Sequence, residues 1–565
     1  MKKYILLLAC VLGSGSIWAQ ALPKWATKAK KAVFSVVTYD KENQILNTGN
    51  GFYIDEKGTA VSDFSLFKNA HHAVVVTAEG KELPVTLILG ANDIYDVVKF
   101  RTQINKKSAA ILPASQTPKK GETVYVLPYS TQKETSGRTG SISNMDSIAN
   151  NSFYYTVNMK TGDKTVSCPL VNTNGEVVGL IQKNSDSESE ESFALGITFA
   201  NSLAINAMSG SDSNLNAIGI KKDLPEEESQ ALVMLYLMSS QSDTKAYAER
   251  LNDFIQKFPK SSEGYLRRAT YYMSLNDEAK VKSTEEDIKQ SLELAQNKAE
   301  AHFNLAKLLY GYNMGLEGKQ PLSNWTLDRA LTEAQEAISL AKEGLYFQTL
   351  GDILFALHRY AEAADAYSEL NKSTLVSAAS FYSEAKTREL VEGTDKKQLI
   401  ALMDSAVAFY NPPYGQEAAP YLYERGRIKS EVQDHRGAVL DFNAFHEAVL
   451  GQVTAQFYAM RAEEEMACHM NQQAIDDINK AAELEPTNID YLVQKSSILI
   501  RFNKHEEAIE TLNKAISINP KDAGLYRMLG FSQIMMKKKK EGLANLKKAK
   551  EMGDTVADQL IQKYK

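Results

Sequence analysis

Ala474, Ala508 and Gly542 lie 34 residues apart, and each opens the same run of small, large and alanine positions. The runs are Ala474…Ile478…Ala481, Ala508…Leu512…Ala515 and Gly542…Leu546…Ala549, and Pro486 and Pro520 repeat the 34-residue interval. A period of this length marks a helix–turn–helix unit that cannot bury its apolar face alone, so several must stack. Two helices cross closely where one presents Ala, Gly or Ser and a large neighbour fills the notch. Fainter copies occur at Leu350-Gly351 with Tyr360, Ala363 and Tyr367, and at Gly426 with Ala438 and Phe442. From Pro225 to Lys565 the pattern predicts about eight or nine helix pairs.

Upstream of Pro225 the period changes. Val33–Tyr39 alternates and is rich in β-branched residues, and Asn50–Asp55 ends in the turn Glu56-Lys57-Gly58. Further strand-like runs follow at His72–Val76, Leu83–Leu89, Val97–Arg101, Thr123–Leu127, Ser152–Asn158 and Val177–Ile181. Short strands without helical periods between them predict an all-β sandwich or barrel. At 565 residues the chain is too long for one ordinary domain, and its 44% hydrophobic and 24% charged residues supply several cores. A formal charge of -6 gives no reason to expect nucleic acid as a partner.

The start reads as an export signal: Lys2-Lys3, an apolar stretch Tyr4–Leu12, the break Gly13–Ser16, and cleavage after Ala19. Leu7-Leu8-Ala9-Cys10 is loosely lipobox-like, which makes a lipid anchor through Cys10 the alternative. The expected location is the periplasm, or secretion. Beyond the leader only Cys168 and Cys468 remain, read as buried small hydrophobes and not as a disulfide. The expected division is 1–19 signal peptide, 22–208 β-domain, 209–224 linker and 225–565 helical repeats.

Gly49-Asn50-Gly51-Phe52-Tyr53-Ile54-Asp55-Glu56-Lys57-Gly58, Gly121-Glu122-Thr123-Val124-Tyr125 and Phe193–Ala200 resemble the frame motifs of the Deg/HtrA-like branch of trypsin-fold serine proteases. Lys164–Asn172 resembles that family's nucleophile loop, Gly-Asn-Ser-Gly-Gly-Pro-Leu-Val-Asn, with the Pro-Leu-Val-Asn tail in register. The 34-residue array is similar to tetratricopeptide repeats (TPR). The fold expected is therefore multidomain: an all-β trypsin-like double barrel followed by an all-α TPR solenoid.

The resemblance implies a triad, but its positions read Ser65 for the histidine, Asp96 for the aspartate and Val166 for the serine. Valine has no lone pair with which to attack, and serine is no base near neutral pH. Lys164 stands where the oxyanion-hole turn has glycine. Fallback nucleophiles are Ser167 and Cys168, with His71 or His72 as base. No cofactor or metal is expected; the acidic run Asp186–Glu191 reads as a solvated loop. Helical register places Tyr423, Arg427, Arg501, Arg527 and Phe531 toward a peptide-binding groove of the array. The function expected is an exported, non-catalytic scaffold contacting protein or peptide partners, the β-domain adding its old cleft as a binding surface. The alternative is a serine or cysteine endopeptidase with a rearranged site.

Overall fold

The computed structural model describes residues 22–131, 137–148, 151–186, 188–239 and 244–565. The expected signal peptide, with Cys10, lies outside them. The chain divides at Tyr271/Tyr272 into two compact units.

The first unit contains two closed six-stranded antiparallel barrels. One is formed by β1 (Val33–Tyr39), β2 (Ile45–Tyr53), β3 (Thr59–Ser62), β4 (His72–Val76), β5 (Glu82–Asn92) and β6 (Val97–Thr102), in the order β1-β2-β3-β6-β5-β4. The other is formed by β7 (Thr123–Val126), β8 (Arg138–Ile148), β9 (Ser152–Asn158), β10 (Pro169–Val171), β11 (Val177–Ile181) and β12 (Glu191–Gly196), in the order β10-β11-β12-β9-β8-β7. Closure leaves neither sheet an edge strand. Alternation supplies the cores: Phe34 and Val36 of β1, Phe52 of β2 and Phe100 of β6 are fully buried. Gly51 is required for this packing, because a Cβ there would sit 2.6 Å from the Phe34 ring and 2.7 Å from the Val61 carbonyl. β8 was not legible in advance; its Ser, Asn and Asp residues hide a strand held by β7 and β9.

Residues 209–224, expected as a linker, are packed on the first barrel. Ile88 donates to Lys221 O and Asp223 to Ile88 O, while Asn69 donates to Ala217 O. Leu215, Ile218, Ile220 and Leu224 are buried in the same core as the strands. Ala231, Met234 and Leu235 of the helix Glu228–Ser239 and Leu251 and Phe254 of the helix Thr244–Lys257 join that core too. The change to helix thus comes near Pro225, whereas the compact unit continues to Tyr271.

The second unit is all-helical, a long run of antiparallel pairs consistent with a repeat solenoid. Examples are Gly344–Ala356 with Tyr360–Leu370, Ala419–Glu431 with His435–Ala448, Ala455–Ala467 with Asn471–Leu484, Ile489–Arg501 with His505–Ile518, and Ala523–Met535 with Lys539–Glu551. The small positions do what the spacing requires. A Cβ on Gly351 would meet the Tyr367 ring at 2.6 Å, and one on Gly426 the Phe442 ring at 2.7 Å. Ala474 and Ala508 are fully buried.

All five pairs turn the same way. Two residues past the first helix the backbone is left-handed, at His358, Gln433, His469, Asn503 and Lys537 (φ 57–63°). The next residue then donates back five positions: Arg359 to Leu354 O, Asp434 to Lys429 O, Met470 to Glu465 O, Lys504 to Leu499 O and Lys538 to Gln533 O. These are Schellman closures.

Candidate functional site

The site begins where β3 ends. Ser62 Oγ donates to Asn50 O at 2.6 Å, and the chain enters the single turn Phe64–Phe67. Ser65, on that turn, directs its backbone N–H to Asp96 Oδ1 (2.6 Å) and its hydroxyl to Oδ2 (3.0 Å). Asp96 sits just before β6 with φ 44°, in the left-handed region. The two positions expected to correspond to the triad base and aspartate are therefore together.

Val166 lies on the opposite loop. The 3-10 turn Asp163–Thr165 ends at Val166, which is extended (φ -59°, ψ 137°) and half-buried. Its N–H donates to Asp163 O at 3.3 Å. Thr165 tightens the turn from within, its hydroxyl donating to Gly162 O at 2.6 Å. Asn50 bridges from the first barrel: its amide nitrogen donates to Val166 O (2.9 Å) and Lys164 O (3.2 Å). The motif Gly49-Asn50-Gly51 carries no sign of this bridging role.

Ser167 follows in the left-handed conformation, φ 60°, where the resembled loop has glycine. Its N–H donates to Ile181 O at 2.8 Å, and Cys168 O accepts from Ile181 N at 3.0 Å, which fixes the loop to β11. Both side chains are fully buried. The Ser167 hydroxyl makes no hydrogen bond of normal geometry. Burial pushes the Cys168 thiol up to about 12, so the thiolate a cysteine nucleophile needs is suppressed. As placed, neither fallback nucleophile is open to a substrate carbonyl. His72 stacks on Tyr39 (4.6 Å between centroids, 3° between planes), and His71 donates its N–H to Tyr39 O. Both histidines are accounted for by the β1–β4 pairing.

Asp63 and Gln182 were missed in the sequence. Asp63 is 7% exposed beside Ser167. Burial pushes its carboxyl up to about 7; the Ser167 hydroxyl pulls it partly down and the Asp96 charge pushes it up. Gln182, just past β11, is 9% exposed with Nε2 lacking an acceptor. The only forewarning was a charged residue in Ser62-Asp63-Phe64-Ser65, and nothing in the sequence distinguishes it from a surface aspartate.

In the second unit the five groove candidates are mostly engaged by their own chain. The Tyr423 ring packs on Phe442 and Phe445. Arg427 is paired with Glu389, Glu424 and Glu431. Arg527 Nε donates to Asp554 at 2.7 Å, and Phe531 packs edge-on against His505 and Tyr564. Arg501 is exposed, 3.8 Å from the Met466 sulfur. No group of His, Cys, Asp and Glu suited to a metal ion occurs among the described residues. No helix among them is long and apolar enough to cross a membrane.

A family model for the trypsin-like peptidase domain matches residues 49–180, from within β2 almost to the end of β11. A search of curated proteins finds no match.

Proposed function

We propose that this chain is an exported, non-catalytic binding protein: a trypsin-fold unit without a working triad, joined to a TPR-type array that engages protein or peptide partners. One observation carries the first half. Val166, aligned with the nucleophile, is a valine whose N–H is drawn back to Asp163 O, so the position lacks both the attacking group and a free oxyanion donor. Ser65, aligned with the base, spends its N–H and hydroxyl on Asp96. The 34-residue period and the glycine notches under Tyr367 and Phe442 support the TPR reading of the array.

The competing reading is a peptidase working through Ser167 or Cys168, and the full burial of both counts against it. Export rests on Met1–Ala19 and gives the periplasm as the working location. The test uses the full chain with a fluorophosphonate probe, a thiol-reactive probe and casein digestion. No labelling and no digestion are expected. Labelling abolished by Ser167→Ala or Cys168→Ala overturns the reading.

A further inference from the structure

β6 places Lys99 and Arg101 two residues apart, so both side chains leave the same face while Phe100 between them fills the barrel. Both reach a cavity of about 260 Å³ also lined by Asp55, Asn201, Asp223 and Glu226. Stretches of chain around Asp55, Lys99, Asn201 and Asp223 build it, all within the first unit.

The polar groups around this cavity are unequally satisfied. Asp223 and Glu226 share the Lys257 ammonium at 3.4 and 3.0 Å. Asp55 Oδ1 accepts the N–H groups of Lys57 (2.8 Å) and Thr59 (2.9 Å). Lys99 Nζ donates to Asn201 O at 2.6 Å, which leaves ammonium hydrogens over. Arg101 stands apart: among the described residues its guanidinium has no hydrogen bond and no ion pair, and its Nε is shielded from water without an acceptor. A guanidinium carries five donors in a planar fork matched to oxyanions. Burial and the Arg101 charge push the Lys99 ammonium down, and Asp55 pulls it partly back up.

We propose that this cavity binds a single oxyanion head, the carboxylate or phosphate of a small solute, gripped by the Arg101 fork with Lys99 beside it. The carboxylates of Asp55, Asp223 and Glu226 around it select a compact single-headed anion over a polyanion.

The test titrates the full chain by calorimetry with inorganic phosphate and, separately, with acetate, in a buffer of weakly coordinating anions. One saturable site is expected for at least one anion, and the arm that binds identifies the head group. Arg101→Gln and Lys99→Gln should each weaken it at least about tenfold. Arg101→Lys, which keeps the charge and loses the fork, should weaken it several-fold. Lys120→Gln, at an exposed lysine away from the cavity, should leave it unchanged. Circular dichroism establishes that each variant is folded, and Lys99→Gln carries the test if Arg101→Gln is not. Absence of saturable binding in both arms, or equal affinity in the wild type and the folded variants, overturns the proposal.

Discussion

Ser65 meets Asp96 through two donors at once, its backbone N–H on one carboxylate oxygen and its hydroxyl on the other, at 2.6 and 3.0 Å. The pair ties the turn after β3 to the start of β6. Ser65→Ala removes one of the two bonds at an exposed position and should cost about 1 kcal/mol. Asp96→Ala removes both and also puts alanine at φ 44°, so about 2–3 kcal/mol is expected. Asp96→Asn, which tolerates that φ and still accepts one bond, should lie between wild type and Asp96→Ala. Denaturant midpoints measured on the full chain check the order.

Ser167 combines two unfavourable features, a left-handed backbone with a Cβ and a fully buried hydroxyl with no hydrogen bond of normal geometry. Ser167→Gly relieves both, offset by the greater freedom of glycine in the unfolded chain. A net stabilisation of about 1 kcal/mol is expected below pH 6. Calorimetric unfolding would sink the idea if the variant melts earlier than wild type there.

Asp63 gives the first unit a pH dependence of definite sign. Its folded-state value of about 7 lies above the ordinary 3.8, so between those values the folded chain binds more protons than the unfolded one. Stability from this group is therefore full below about pH 4, falls as pH rises toward 7, and is flat above. Asp63→Asn removes the titration and should raise the melting temperature at pH 8 but not at pH 4. The gain at pH 8 is bounded by about 4 kcal/mol, the free energy of a three-unit shift. Equal effects at both pH values would exclude Asp63 as the source.

Arg461 in the array donates to both oxygens of Asp477, at 2.6 and 2.9 Å, and all three of Arg461, Asp477 and Glu465 are buried. Burial pushes Glu465 up to about 8, and Asp477 pushes it further while Arg461 restrains it. Arg461→Met leaves Asp477 buried without its cation and should cost about 3–5 kcal/mol. Arg461→Met with Asp477→Leu should recover much of that loss. The exposed pair Lys480–Glu483 is the contrast, and Lys480→Ala should cost no more than about 0.5 kcal/mol. Loss of helical signal on heating reports all three.

The parts of the fold that were legible in the sequence rest on periodicity. Alternation in Val33–Tyr39 and the 34-residue spacing of Ala474, Ala508 and Gly542 are local patterns, and the barrels and helix pairs follow from them. Ser65 and Asp96, which the frame motifs single out, meet in the structure. The rest depends on partners distant in sequence. Asp63 reads as a surface residue until Ser167, more than a hundred positions away, closes over it. Arg427 and Tyr423 read as groove-facing until Glu389 and Phe445 occupy them. Leu215, Ile218, Ile220 and Leu224 are separated by Asn, Ala, Gly, Lys and Asp, and only the neighbouring barrel shows that their segment is not free chain.

The left-handed turns at His358, Gln433, His469, Asn503 and Lys537 also determine how the helical unit comes apart. Each is fastened by its own bond reaching back five residues, so the two helices of a hairpin are held by a covalent turn and a local closure as well as by packing. The turns that join successive hairpins within 455–551, at 485–488 and 519–522, carry no such closure. Opening then proceeds by whole hairpins and not by single helices, and amide exchange across residues 455–551 should rise in blocks about 34 residues long.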